Sequence, residues 1–325
     1  MCGETHHKWL MSRGIKLRVS ACKVATKGYN TNGTVPQIPF LIKGEYMPDP
    51  RWFECPVIIP YMGGKFELSK RLIPMMPKHN RYIEPFVGGG SMFFRKKKVD
   101  INIINDKHND LVNLYLSVMT CYDAFASACE ALLKSRTLYD GFKNELKTEI
   151  IYTDMPDPIR ASKYYYIIKN AFNNNYKNPI AKENDWNKEM YLCLKKSKKK
   201  LENTMIENKD FRELFEKYPT RTCDFWYFDP PYVIAGERGD YYIHSLDNKD
   251  HIDLYNMANQ IDKHGGKFMI SYDDHDLIND LYKNYEILKI PIQYAGQTTG
   301  DDYKNELVIT NYKPIVQLTM GLESI

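Results

Sequence analysis

Apolar positions along this chain follow two alternating rhythms. Runs that are apolar throughout, or apolar at every second residue, read as strands at residues 81–86, 101–105, 224–228, 267–271, 285–292 and 306–311. The glycine run Gly88-Gly89-Gly90 closes the first of them. Between strands the spacing lengthens to three and four. Leu111, Leu114, Tyr115 and Val118 share a helix face behind candidate caps Asn109 and Asp110. Ile252, Tyr255, Ala258 and Ile261 share another in a helix over 251–263, which Gly265-Gly266 ends. Strands alternating with helices predict a mostly parallel sheet covered on both faces.

Residues 116–212 break this rhythm. Helices are predicted at 124–133 and 161–172, separated by Asn- and Pro-rich loops and followed by a lysine run, so the region reads as a helical insertion between two halves of the sheet. Residues 1–55 form a separate head. Ile15 to Ser20 alternates like a strand, and Gly28 to Pro39 reads as loop.

Composition fits a soluble globular protein of two domains, or one with an insertion: 325 residues, 43% hydrophobic and 26% charged. No run of about 18 apolar residues is present, so no membrane span is expected. Seven scattered cysteines predict free thiols in a reducing compartment. With no apolar leader in residues 1–30, the expected location is the cytoplasm, or a host cell's cytoplasm for a phage or viral gene. Cys2, His6, His7 and Cys22 lack a regular ligand spacing, and no metal is expected. The net charge of +4 conceals an asymmetry: +13 over the first 222 residues and −9 over the rest. That division suits a protein that meets a polyanion on one side.

The candidate chemistry lies where strands end. Asp229-Pro230-Pro231-Tyr232 directly follows the apolar strand at 224–228. Ligands of open parallel sheets bind at the carboxyl ends of strands. Two prolines stiffen the loop and remove two N–H donors. The Asp229 carboxylate and Pro230 carbonyl are acceptors, and Tyr232 offers a flat ring. Together they suit a planar base with an exocyclic amine. Chance yields this tetrapeptide in roughly 10⁻³ to 10⁻² of chains this long. Glu84-Pro85-Phe86-Val87-Gly88-Gly89-Gly90-Ser91 lets a cofactor approach the backbone closely, but lacks the G-x-G-x-x-G spacing of a dinucleotide site and the lysine of a P-loop. Asp106, ending the second strand, is placed to accept from ribose hydroxyls or to cap a helix. Tyr61-Met62-Gly63-Gly64-Lys65 could clasp a carboxylate or phosphate.

In this order the four motifs resemble the Dam-like, or D12-class, adenine-N6 DNA methyltransferases, over about residues 57–312. The late strands Phe268 to Tyr272 and Glu306 to Tyr312 also resemble that family's. The resemblance implies a Rossmann-like class I methyltransferase sheet, α/β, made of residues 56–115 and 213–325, with 116–212 as a helical target-recognition insertion. It implies S-adenosylmethionine as cofactor, contacted by Tyr61, Gly63, Gly64 and Lys65. Glu84, Pro85, Phe86, Gly88 and Ser91 would hold its methionine part, and Asp106 its ribose. Asp229 would lie beside both the methyl donor and the target amine, with Pro230, Pro231 and Tyr232 completing the catalytic tetrad. The family often has tryptophan at Tyr61, and residues 1–55 have no counterpart in it.

The same resemblance makes double-stranded DNA the expected partner of a monomer or weak dimer. GATC is the commonest target among such relatives, which work alone or beside a restriction endonuclease. Lys195, Lys196, Lys198, Lys199 and Lys200 are the densest basic cluster and the candidate phosphate contacts. Arg95-Lys96-Lys97-Lys98 reads as the solvated end of a helix, and Tyr164-Tyr165-Tyr166 as core. Methylation of RNA adenine, of a protein amide or of cytosine N4 stays open, as does a silent DNA-binding relative. Cytosine N4 chemistry usually goes with Ser in place of Asp229.

Overall fold

The computed structural model describes residues 55–60, 65–148, 155–172, 178–181, 194–233, 246–292 and 304–315, all within one compact unit, Glu45–Ile325. The predicted strand at 15–20, the loop at 28–39, the Cys2–Cys22 group and Tyr61, Gly63 and Gly64 lie outside the described residues.

Seven strands form one sheet: β1 (Arg81–Glu84), β2 (Ile101–Asn105), β3 (Thr204–Glu207), β4 (Asp224–Phe228), β5 (Lys267–Asp273), β6 (Glu286–Ile292) and β7 (Lys304–Thr310). Their order is β3-β2-β1-β4-β5-β7-β6. The first five are parallel, and β7 runs antiparallel between β5 and β6. The central strands β1 and β4 are buried at every position, their apolar middles together with the charged Arg81, Glu84 and Asp224 at their ends. Alternation survives in where each side chain goes. Tyr82, Phe225 and Tyr227 join the core on one face; Ile83, Trp226 and Phe228 join the core on the other.

Ten α-helices lie among the described residues: α1 (Phe66–Leu72), α2 (Ser91–Arg95), α3 (Asn109–Thr120), α4 (Tyr122–Glu130), α5 (Arg136–Thr148), α6 (Pro158–Asn170), α7 (Leu194–Leu201), α8 (Phe211–Lys217), α9 (Asn248–Lys263) and α10 (Asp276–Leu281). None is long and apolar enough to cross a membrane. α3, α4 and α5 all pack on α6, whose Tyr164, Tyr165 and Tyr166 are buried as expected. α3 is capped by His108, whose Nδ1 accepts from Leu111 N at 3.1 Å, rather than by Asn109 or Asp110. The imidazole is held there by a ring contact with Tyr164.

Three expectations change. First, the span 116–212 is not one inserted unit. α3 runs unbroken across 115/116, and β3 pairs with β2 as the sheet's edge. Four residues with a single neighbouring strand are too few to show a period of two. Second, Arg95 and Lys96 are buried rather than solvated. The Arg95 guanidinium lies 3.8 Å from the Phe66 ring and donates to Phe66 O and Ser69 Oγ. Lys96 Nζ lies 4.0 Å over the Tyr82 ring and donates to Asn102 Oδ1 at 2.9 Å. Third, only part of the lysine run is open for the phosphate contacts expected of it. Lys195, Lys196 and Lys199 are exposed, but Lys198 lies over the Tyr122 ring and Lys200 donates to Lys96 O. Burial lowers the Lys200 ammonium to about 8.

A buried ion pair joins β1 to β4 at their amino ends. Arg81 and Asp224 are partners in the parallel register. The guanidinium donates to Asp224 from Nε at 2.7 Å and from a terminal nitrogen, and to Pro219 O at 2.6 Å. Asp224→Ala would leave that buried cation unpaired. It should lower unfolding free energy by about 3–5 kcal/mol, read from denaturant curves; a loss under about 1 kcal/mol would show that water or carbonyls suffice.

Candidate active site

β1 and β4 are neighbours, yet the chain leaves them in opposite directions, toward β2 on one side and β5 on the other. A crevice opens at the carboxyl ends of strands at such a switch point. The loops after β1 and β4 both face it, and they carry the two strongest sequence motifs.

The loop after β1 is pinned from several sides. Val87 N donates to Asn105 O at 2.8 Å and Gly90 N to Val87 O at 2.7 Å. Asn105 Nδ2 donates to Pro85 O at 2.8 Å. Tyr115 OH donates to Gly88 O, and Gly88 N donates to Asp106 Oδ2 at 3.0 Å. Gly90 has φ +71°, and a Cβ there would lie 2.7 Å from the Phe94 ring, so this turn needs glycine twice over. Ser91 starts α2, and Phe86 packs on Phe211 at 5.4 Å between rings.

Asp106 sits one residue past β2. Its other oxygen accepts from His108 N at 2.9 Å. Burial pushes its carboxyl up to about 6, against the pull of these amides. It therefore both shapes the loop and keeps lone pairs for a ligand. Beside it, at the carboxyl edge of β2 and β3, is an open cleft of about 830 Å³, lined by residues including Lys107, Asn109, Asn208 and Asp210.

The loop after β4 brings Asp229 to the crevice. Lys65 Nζ stands 2.9 Å from Asp229 Oδ1, and the carboxylate side chain is 21% exposed. Burial raises the Asp229 carboxyl and the Lys65 charge opposes the rise. Glu84 ends β1 fully buried and accepts from Tyr82 OH at 2.8 Å. Burial, with the Asp229 charge adding to it, pushes Glu84 up to about 8. Pro230 is buried and Pro231 half-buried. Tyr232 is only 8% exposed, with Lys65 Nζ 4.6 Å over its ring. The expected stacking ring is thus covered on one face by an ammonium.

Sequence reading passed over Glu306, which it placed only in a strand. Glu306 is 0% exposed; its Oε1 lies 3.4 Å from Lys65 Nζ and accepts from Tyr232 OH. Burial, helped by the Asp229 charge, raises it to about 7 while Lys65 pulls it down. One signal was available: a glutamate heading an otherwise apolar strand. Its partners lie far away in sequence.

Lys65, Glu84, Asp106 and the 229–232 tetrad therefore converge on one strand edge. The lysine run does not. α7 ends three residues before β3 begins, so the cluster's last residues lie at the opposite, amino end of the sheet.

Strand order, the single antiparallel strand and the pinned loop after β1 together define a Rossmann-like methyltransferase fold. The family model for the D12 class of N6 adenine-specific DNA methyltransferases matches residues 61–295, and the chain belongs to that family. It is 27% identical to a type II methyltransferase of Lactococcus lactis subsp. cremoris, over 78% of this chain and 94% of that protein. It is also 27% identical to a type II methyltransferase of Methanocaldococcus jannaschii, over 80% of this chain and 100% of that protein. Identity to a DNA adenine methylase of Serratia marcescens is 26%, over 76% of this chain and 95% of that protein.

The buried carboxylates make stability depend on pH. Glu84 is raised in the folded chain, so between pH 6.5 and 8 the folded state holds a proton there that the unfolded state has lost. The stability this contributes is present at low pH and disappears as pH rises through about 8. Relative to Glu84→Gln, the wild-type chain should lose roughly 1–2 kcal/mol from pH 6.5 to 8. Denaturant curves of the two proteins running parallel over that window would show that Glu84 titrates normally.

Proposed function

We propose that this chain transfers a methyl group from S-adenosylmethionine to N6 of an adenine turned out of duplex DNA. The observation that carries the reading is the Lys65–Asp229 pair, set at the switch point beside the pinned loop after β1.

The residues fit that cofactor. The Asp229 carboxylate, its ionised form favoured by the Lys65 charge, suits a ligand bearing a sulfonium and an ammonium. Asp106 suits ribose hydroxyls, and the cleft along β2 and β3 has room for an attached base. Tyr61, Gly63 and Gly64 are assigned to the same ligand from the motif alone. When bound, the cofactor supplies an electrophilic methyl group.

The chain's own work falls on the amine. The N6 lone pair is delocalised into the purine ring, which makes the free amine a poor nucleophile. The Asp229 carboxylate and the Pro230 carbonyl accept its N–H groups and favour a tetrahedral nitrogen. The same dipoles stabilise the positive charge that forms there. Lys65 favours the ionised form of Asp229, so the carboxylate stays an acceptor. Holding the reacting atoms together supplies much of the remaining acceleration. Turning out the base costs a few kcal/mol, and stacking on the open part of Tyr232 returns about 1–3.

We assign target recognition to the helices α4 to α6, with GATC as the first sequence to test. The exposed Lys195, Lys196 and Lys199 are proposed as sequence-independent phosphate contacts, remote from the flipped base.

Tritiated methyl transfer to unmethylated duplex DNA, followed by nucleoside analysis, tests the reading. The label should appear in N6-methyl-2′-deoxyadenosine; label in cytosine, RNA or protein, or none at all, would replace it. In that assay Asp229→Ala should lower turnover by at least about a hundredfold while cofactor binding persists, because the carboxylate acts on the amine in the transition state. Turnover within tenfold of wild type would remove Asp229 from that role.

Asp106→Ala should raise the cofactor's Kd about tenfold or more, since a hydrogen bond to a charged group contributes about 1.5–3 kcal/mol. Asp106 also orders the loop through Gly88 N, so Asp106→Asn is the companion variant. Calorimetry showing unchanged affinity in both would take Asp106 out of the site.

A further inference from the structure

We infer that Glu306 is a positioning residue for methyl transfer, holding the Lys65 ammonium and the Tyr232 ring in the arrangement that Asp229 needs. The inference rests on the adenine-methylation reading above.

The four residues come from three separate places: Lys65 just before α1, Asp229 and Tyr232 after β4, and Glu306 on β7. In register Glu306 stands opposite Asp273 of β5 and Ile290 of β6, deep in the antiparallel half of the sheet. Oε1 carries both contacts, to Lys65 and Tyr232, while Oε2 is buried with no hydrogen-bond partner among the described residues. A buried carboxylate with one oxygen left unsatisfied is a poor stabiliser of a fold. What it provides is placement of its partners.

Two consequences follow for the chemistry. Without Glu306, the Lys65 ammonium would be drawn more fully onto the Asp229 lone pairs that the target amine must use. Glu306 divides that attraction, and Nζ stands 2.9 Å from one carboxylate and 3.4 Å from the other. Glu306 also fixes the Tyr232 hydroxyl, so the ring beside the acceptors cannot swing away. Both effects act at the reacting amine rather than on the cofactor's ribose or base.

Glu306→Gln keeps the shape and an oxygen for Tyr232 but removes the charge that draws Lys65. Tyr232→Phe removes only the hydroxyl. Each is assayed as the full chain on unmethylated duplex DNA, with wild type alongside, after melting curves show the folded fraction. Glu306→Gln should lower kcat at least about tenfold with cofactor KM within about threefold, the split expected when a transition-state interaction is lost. Tyr232→Phe should lower kcat by a smaller factor. The double variant should lose less than the product of the two single losses, because Oε1 makes both contacts and weakening either one releases the arrangement they share. A structural role alone would lower the melting temperature and leave kcat per folded molecule unchanged. That result overturns the inference. So do losses that multiply in the double variant, or a cofactor KM that rises as kcat falls. Wild-type activity with an unaffected Glu306→Gln sinks this inference alone, whereas a wild-type chain that methylates no adenine sinks the parent reading and this one with it.

Discussion

The Lys65 ammonium stands within ion-pair distance of both Asp229 and Glu306, and the crevice depends on it. Burial opposes charge on each of these carboxylates, and each lies above its ordinary range even with the lysine beside it. Glu84, which accepts from a tyrosine hydroxyl, rises to about 8, above Glu306. Such an arrangement is a poor contributor to stability, because desolvation costs several kcal/mol per ion.

Rigid surroundings make this possible. β1 and β4 are covered on both faces, and the Arg81–Asp224 pair ties them at the end away from the crevice. At the crevice end, Asn105, Asp106 and Tyr115 between them hold the backbone of Pro85, Val87 and Gly88. A glycine turn held this way keeps the close backbone approach that glycine allows without the looseness it usually brings. Asp106 holds the loop through Gly88 N, so the ligand role proposed for it separates from this one only when isosteric and truncating variants are compared.

Basic residues divide by environment rather than by sequence neighbourhood. Lys96 and Lys200 bury their stems against aromatic rings and donate to local oxygens, while Lys195 and Lys199 remain in water. A run of six residues that looks uniform as a string thus supplies packing on one side of α7 and positive charge on the other. Charge counts over segments show that a polyanion could be met, and burial decides which lysines are available to meet it.

The sequence by itself determined the parallel sheet, six of its seven strands to within two residues, the crevice-side motifs, and the family. Those features are local: apolar runs, glycine and proline punctuation, and short motifs whose residues act together because they are adjacent. Strand β3 escaped because four residues on a sheet edge carry almost no periodic signal, and the boundary of the helical region moved with it. Arg95, Lys96 and Lys200 were misjudged because a charged side chain's burial depends on which distant ring or carbonyl meets it. Glu306 is the clearest case. A charged residue in an apolar strand marks it as unusual, but only the pairing of β7 between β5 and β6 brings it to Lys65 and Tyr232. Contacts across such sequence distances are set by how the sheet closes, and one residue type in one strand cannot encode that alone.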